Sequence, residues 1–365
     1  MLYIEDELIA PYFRTLKIEP FLRSNLPVNR FRDAKYLEWH RRLRKFPTAI
    51  YLDTNFWIML REGERASPGS ILNRLFRKFL SLKLEQRIIC PVTQETFFEI
   101  QKQADDRSRF DTFAIVDTLS EGFGIASAWE QSQEEVRQIA QALRHGKRRI
   151  GQKLPWRKGG ILLGQLYIDP WEIHPVERRG LQNWFFEGYS RIPFTILDQS
   201  IGRIGPEIFE EKFATYIEEA TPIKNAASRE YSSKEQIRAL EYSVPILAQV
   251  NRITSIEHMD ASFNYGVEEI QYMKRMARDL RGRAPVHAAY SDLTALHRQD
   301  LRKNTGVNDI YDLFHAAVAI ACCDYFFTEK HMLDQVERVV AGDASHHLQK
   351  AVFRPEDALE ILETL

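Results

Sequence analysis

The sequence predicts an α/β protein, a parallel sheet flanked by helices. Three observations carry this. Short apolar runs at "AIYLD" (49–53), "RIICPV" (87–92) and "DYFFT" (324–328) read as buried strands. Helical periodicity fills the intervals between them, the order that favours parallel strands with covered faces. Acidic residues recur where these strands end, and ligands in such sheets collect outside the strand carboxyl ends.

Residues 1–47 read as a helical N-terminal extension. Within it "YLEWHRRLRKF" (36–46) is basic and amphipathic, and Pro47 closes it. The first strand runs into Asp53, Thr54 and Asn55, and a helix follows from about Phe56 through "WIMLREGE". After the "ASPGS" turn, Ile71, Leu72, Leu75, Phe79 and Leu82 recur at helical spacing. The second strand gives way to Thr93, a candidate cap for "QETFFEIQKQADD". Residues 48–105 thus form the first part of an α/β core. From 106 to 290 helical periodicity dominates, which predicts a mainly helical insertion or second domain without internal repeat. The core resumes over 291–365. "DIYDLFHAAVAIACC" (309–323) is a nearly all-apolar helix, followed by the third strand, a short fourth at "AVF" and a last helix in "PEDALEILETL".

Bulk properties narrow the class. The chain has 365 residues with 44% hydrophobic and 28% charged residues, enough for a substantial core. A net charge of −1 excludes a uniformly basic nucleic-acid coat but allows a local basic face. Cys90, Cys322 and Cys323 form no CxxC pair and read as reduced core thiols, not a zinc ribbon or disulfide framework. No run approaches a membrane span of about 18 apolar residues. The first 20 residues carry early acids and no signal-peptide pattern. The expected location is the cytoplasm, without membrane association.

Four segments present carboxylates at the predicted sheet ends. Asp53 closes the first strand. Glu95 and Glu99 share one face of the helix after the second. Asp309 and Asp312 open the apolar helix before the third, and Glu329 follows that strand. Such a cluster repels itself unless divalent cations neutralise it. Hard cations such as Mg²⁺ or Mn²⁺ take oxygen ligands, and two of them about 4 Å apart suit in-line displacement at phosphorus. Taken singly, each acid has an ordinary alternative: a helix N-cap for Asp53, a solvated helix residue for Glu99, a favourable helix N-terminal charge for Asp309. His315 reads as a satisfied core histidine.

The blocks "YLDTNFWI", "PVTQETFFEI" and "NDIYDLFHAAVAIACCDYFFTEKHM" resemble the PIN domain, a metal-dependent nuclease fold that includes toxin ribonucleases of bacterial toxin–antitoxin pairs. The likeness covers roughly 48–105 and 300–355. It implies that Asp53, Glu99 and Asp312 are metal ligands, with Glu95 in reserve for Glu99. Asp309 or Glu329 would complete the set, with Asn55 and Thr328 holding the site. Glu329 stands where the family more often carries Asp. The implied activity is Mg²⁺- or Mn²⁺-dependent phosphodiester hydrolysis, on single-stranded RNA before duplex, as a toxin or defence effector. An inhibitory protein partner and a homodimer stay open as assemblies. A structure-specific DNA nuclease and an inactive PIN-like binding or scaffold protein are the alternatives.

Two basic stretches offer substrate tracks. "RHGKRRIGQKLPWRKGG" gathers Arg144, Lys147, Arg148, Arg149, Lys153, Arg157 and Lys158 around Trp156, and "MKRMARDLRGR" (273–283) is the second. Phosphates are met by such clusters, and an aromatic ring can stack on an unpaired base. The plain alternative is a solvated loop. "YIDPWEIHP" reads as a surface turn.

Overall fold

The structure is a computed structural model. It describes residues 7–24, 26–144, 155–163, 174–201, 241, 281–299, 307–341 and 347–365. The chain is α/β with mostly helical content. It divides into two compact units, one of residues 1–126, 154–206 and 352–365, the other of 127–153 and 207–351.

In the first unit, three helices, α1 (Ala10–Arg14), α2 (Glu19–Leu22) and α3 (Val28–Leu43), precede strand β1 (Thr48–Leu52). β1 runs parallel to β2 (Ile88–Ile89), with Thr48 opposite Ile88 and Ala49 opposite Ile89. Between them lie α4 (Thr54–Arg65) and α5 (Ile71–Leu84). Each helix has a side-chain cap: Asp53 for α4 and Ser70 for α5. The two helices approach closely at Gly63, where a Cβ would run into the Leu72 carbonyl. Asn73 reinforces this crossing by donating its amide to the Gly63 carbonyl at 3.0 Å.

The second predicted strand, 87–92, is cut short at Ile89. Pro91 has no N–H for a ladder. The Cys90 amide instead donates to Leu119 at 3.2 Å, and the Val92 carbonyl accepts from Ile125 at 2.8 Å. That new partner belongs to an antiparallel pair within the region expected to be helical: β3 (Phe123–Ile125) against β4 (Trp156–Lys158). It follows α6 (Gln94–Gln101) and α7 (Asp106–Ser120). The chain leaves α7 through Glu121 and Gly122, both at positive φ (51° and 72°), a left-handed helix end. Gly124 lets β3 lie against the Val92 carbonyl, 2.6 Å from where a Cβ would stand.

Helix α8 (Ala128–Arg144) belongs to the second unit, whereas α9 (Pro175–Tyr189) and α10 (Phe194–Ile201) complete the helical layer of the first. The N-terminal extension is bound by aromatic packing on α9. Phe13 lies among Trp184, Phe185 and Tyr189 with centroids 5.0, 5.5 and 5.4 Å away, and Trp39 stacks on Phe186 at 5.8 Å. Aromatic pairs of this kind add to the area they bury. Asp117 of α7 caps α10, accepting from the Phe194 and Thr195 amides at 2.7 and 3.0 Å and from the Thr195 hydroxyl at 2.8 Å.

The second unit is a helical packing of α8 with α11 (Pro285–Gln299), α12 (Val307–Cys322) and α13 (Lys330–Val340), with β5 (Tyr325–Phe327) between the last two. α12 is buried from Ile310 through Ile320 except at Asp312, which is partly exposed. Glu135 of α8 caps α11, accepting from the His287 amide at 2.8 Å and the Val286 amide at 3.4 Å. Burial pushes its carboxyl up to about 8. The chain ends with β6 (Lys350–Val352) and α14 (Pro355–Thr364), the latter packed on α5. The strand expected at 324–328 is present, trimmed by one residue at each end, and the one expected at 351–353 is present one residue earlier. Cys90, Cys322 and Cys323 are free thiols. Among the described residues no helix is long and apolar enough to cross a membrane.

Candidate functional site

In the first unit the strand end is built around Tyr51. Its fully buried hydroxyl lies 2.9 Å from the Thr93 hydroxyl and 3.0 Å from that of Thr96. Thr93 is the N-cap of α6 and accepts from the Thr96 amide at 3.3 Å. Three hydroxyls thus tie the end of β1 to the start of α6. Asp53 follows Tyr51 by two residues, and its carboxylate accepts the Asn55 amide at 3.4 Å, a cap of α4. Phe56 and Trp57, both buried, anchor the first turn of that helix beneath it.

The same juncture fixes Glu99. The Thr54 hydroxyl donates to the Glu99 carboxylate across a separation of 45 residues. Glu95, one turn earlier, is buried, while Glu99 is half-exposed. Thr54 therefore distinguishes two acids that the sequence leaves on one helix face. The Asn55 side chain is exposed. Beneath this region Arg61 of α4 donates to Gln103, Ser108 and Thr112 at 2.7, 3.2 and 3.2 Å, fastening α4 to α7.

In the second unit Asp309 sits half-buried in the first turn of α12, a favourable place for a negative charge. Asp312 is one turn on. Its carboxylate meets His331 Nε2 at 3.2 Å, and His331 Nδ1 lies 3.4 Å from the Glu329 carboxylate. The imidazole thus stands between the two acids, its opposite nitrogens turned to one each. His331 lies within the third quoted block but has no role assigned there; the packing of α13 against α12 brings it to Asp312. The signal that could have found it is its place two residues after Glu329. Thr328 is buried at the end of β5, and His315 is buried within α12.

Among the described residues no group of three or more His, Cys, Asp or Glu side chains is arranged to hold a metal ion. In the Asp312–His331–Glu329 trio the imidazole itself stands between the two carboxylates.

The predicted basic loop is only partly within the described residues. Lys147, Arg148, Arg149 and Lys153 lie outside them, as does the Arg144 side chain. Most of 273–283 and of "YIDPWEIHP" lies outside them too. Trp156, Arg157 and Lys158 are not loop residues: they form β4, paired with Phe123–Ile125. Arg157 lies over the Tyr36 ring at 4.7 Å and Lys158 over the Phe123 ring at 5.0 Å. Burial, and then the nearby Arg42 charge, lowers the affinity of Lys158 for its proton.

Comparison of the chain with family models, curated proteins and solved structures finds no match.

Proposed function

We propose that this protein is a metal-dependent nuclease of PIN-like type that hydrolyses phosphodiester bonds, acting on single-stranded RNA. The observation that carries the reading is the Thr54–Glu99 hydrogen bond. It joins the acid-bearing end of β1 to one particular carboxylate of the following α/β segment, as a strand-end site needs. Asp53, Glu99 and Asp312, with Asp309 or Glu329, are the proposed ligands. Their donor chemistry is all carboxylate oxygen, which fits Mg²⁺ or Mn²⁺ rather than zinc.

Bound there, the cation supplies charge neutralisation and lowers the pKa of water. The chain's own residues do the positioning. Asp53 is held by the first turn of α4, Glu99 is oriented by Thr54, and Asp312 is oriented by His331. No protein nucleophile is required. RNA over DNA rests on resemblance, an analogy of fold. The toxin or effector role, with an inhibitory partner, belongs to the same proposal.

A second reading is a nucleic-acid-binding protein without catalysis. His331 favours it, because an imidazole already stands between Asp312 and Glu329.

The test is cleavage of labelled single-stranded RNA, single-stranded DNA and duplex by the purified chain with Mn²⁺ and with EDTA. Mn²⁺ binding is followed in parallel by electron paramagnetic resonance. Asp53→Asn and Asp312→Asn should each lower both readouts, cleavage by more than the roughly 10–100-fold typical of losing an outer-shell partner. Cleavage that survives both substitutions, or survives EDTA, refutes the metal site. Binding without cleavage under every metal selects the second reading.

A further inference from the structure

The C-terminal end of α3 carries Arg41 and Arg42 in its last turn, Arg44 as C-cap and Lys45 just beyond, four cations within five residues, all exposed. Such charges complement a helix C-terminus, but that interaction is satisfied by one or two of them. Arg42 is accounted for: it pairs with Glu121 at 2.9 Å and lies over the Phe123 ring at 5.6 Å. Arg41, Arg44 and Lys45 make no ion pair among the described residues. Glu38 is committed to Lys35 at 2.9 Å, and Glu121 to Arg42 and Lys83. The result is concentrated positive charge on a protein of net charge −1.

The local field registers on its neighbours. The proton affinity of His40 is lowered by burial and then by Arg44, and that of Lys158 by burial and then by Arg42. β4 packs against α3, so this turn continues into the strand that bears Trp156, Arg157 and Lys158. Two partly exposed aromatic rings lie on these elements: Tyr36 of α3, with Arg157 over it at 4.7 Å, and Trp156 next to Arg157 in β4. Arg41 to Lys45 spans roughly 6 Å of helix axis at about 1.5 Å per residue.

We propose that the α3 C-terminal turn, with β4 beside it, is a binding track for the phosphate backbone of single-stranded nucleic acid. Cations beside aromatic rings are what an unpaired strand needs, phosphate contacts together with base stacking. An acidic polypeptide offers no flat bases to the rings. The inference rests on the nuclease reading only for its RNA substrate, because binding is measured without catalysis.

The experiment uses the full chain in EDTA and a fluorescein-labelled 20-nucleotide single-stranded RNA, read by fluorescence anisotropy against salt. Arg41→Glu with Arg44→Glu is compared with Arg77→Glu with Arg107→Glu, a control of equal charge change at exposed sites on α5 and α7. Circular dichroism melts establish that both are folded, and Arg41→Gln with Arg44→Gln is the milder pair. The α3 pair should weaken binding at least about ten-fold. It should flatten the log–log salt dependence by about 1.4, for two contacts of about 0.7 each. The control should change affinity less than about three-fold. Equal losses in both pairs, an unchanged salt slope, no binding by the unaltered chain, or equal binding of polyglutamate each overturn the track. Strong, α3-dependent binding by a chain that cleaves nothing with Mn²⁺ supports the track while refuting the nuclease.

Discussion

Replacing Glu135 by Gln should make the protein more stable in alkali and abolish a large part of its pH dependence. Glu135 is buried and caps α11 through the His287 and Val286 amides. Burial pushes its carboxyl from an ordinary 4.5 up to about 8, against the opposing pull of those two hydrogen bonds. The folded state therefore holds a proton that the unfolded chain has already released. Stability from this group is complete below about pH 4.5 and falls as pH rises through the folded value near 8. It is lost above that, because the unfolded state binds fewer protons throughout the window. At about 1.4 kcal/mol per decade the full loss is on the order of 5 kcal/mol. Gln keeps a carbonyl oxygen for the two amides and carries no titrating proton. Guanidinium unfolding of both proteins from pH 5 to pH 9 measures the difference. The variant should gain several kcal/mol relative to the parent between those limits. A parent-to-variant difference that stays constant across the range refutes the burial argument.

Two further outcomes follow from the same kind of reasoning. Thr54→Val removes the hydroxyl that orients Glu99 while keeping its shape. One hydrogen bond to a charged group is worth about 1.5–3 kcal/mol, so Mn²⁺-dependent cleavage should fall at least about ten-fold. Thermal stability should fall by no more than that one bond is worth, and unchanged cleavage across a Mn²⁺ titration would remove Thr54 from the site. Gly63→Ala gains up to about 1 kcal/mol of helix propensity. It nevertheless drives a methyl into the Leu72 backbone carbonyl, so overpacking of about 1–3 kcal/mol should leave a net loss in chemical denaturation.

Local pattern made much of the architecture legible. The apolar run ending in Asp53, the alternation of strand and helix, and the nearly all-apolar α12 announce an α/β chain, because burial imposes its period directly on the sequence. The short β3 and β4 were not legible. Phe123–Ile125 and Trp156–Lys158 are three residues each, separated by α8, and neither shows a period of its own. Gly122, just past α7, was the visible trace of that turn. The basic stretch read as a loop ends in β4 because Arg157 and Lys158 find aromatic faces supplied by α3 and β3.

The candidate acids divide along the same line. Composition and spacing nominated Asp53, the Glu95–Glu99 pair, Asp309, Asp312 and Glu329 as residues of one chemical kind. They left Glu95 and Glu99 equivalent, since residues four apart share a helix face. The fold separated them by bringing Thr54 to Glu99 and burying Glu95. It also placed His331 between Asp312 and Glu329, which no spacing encodes. The sequence by itself determined which residues carry charge at strand and helix ends, because capping and burial are local and periodic. Only the tertiary structure decided which carboxylate is oriented and by what, because those hydrogen bonds join side chains from elements distant in sequence.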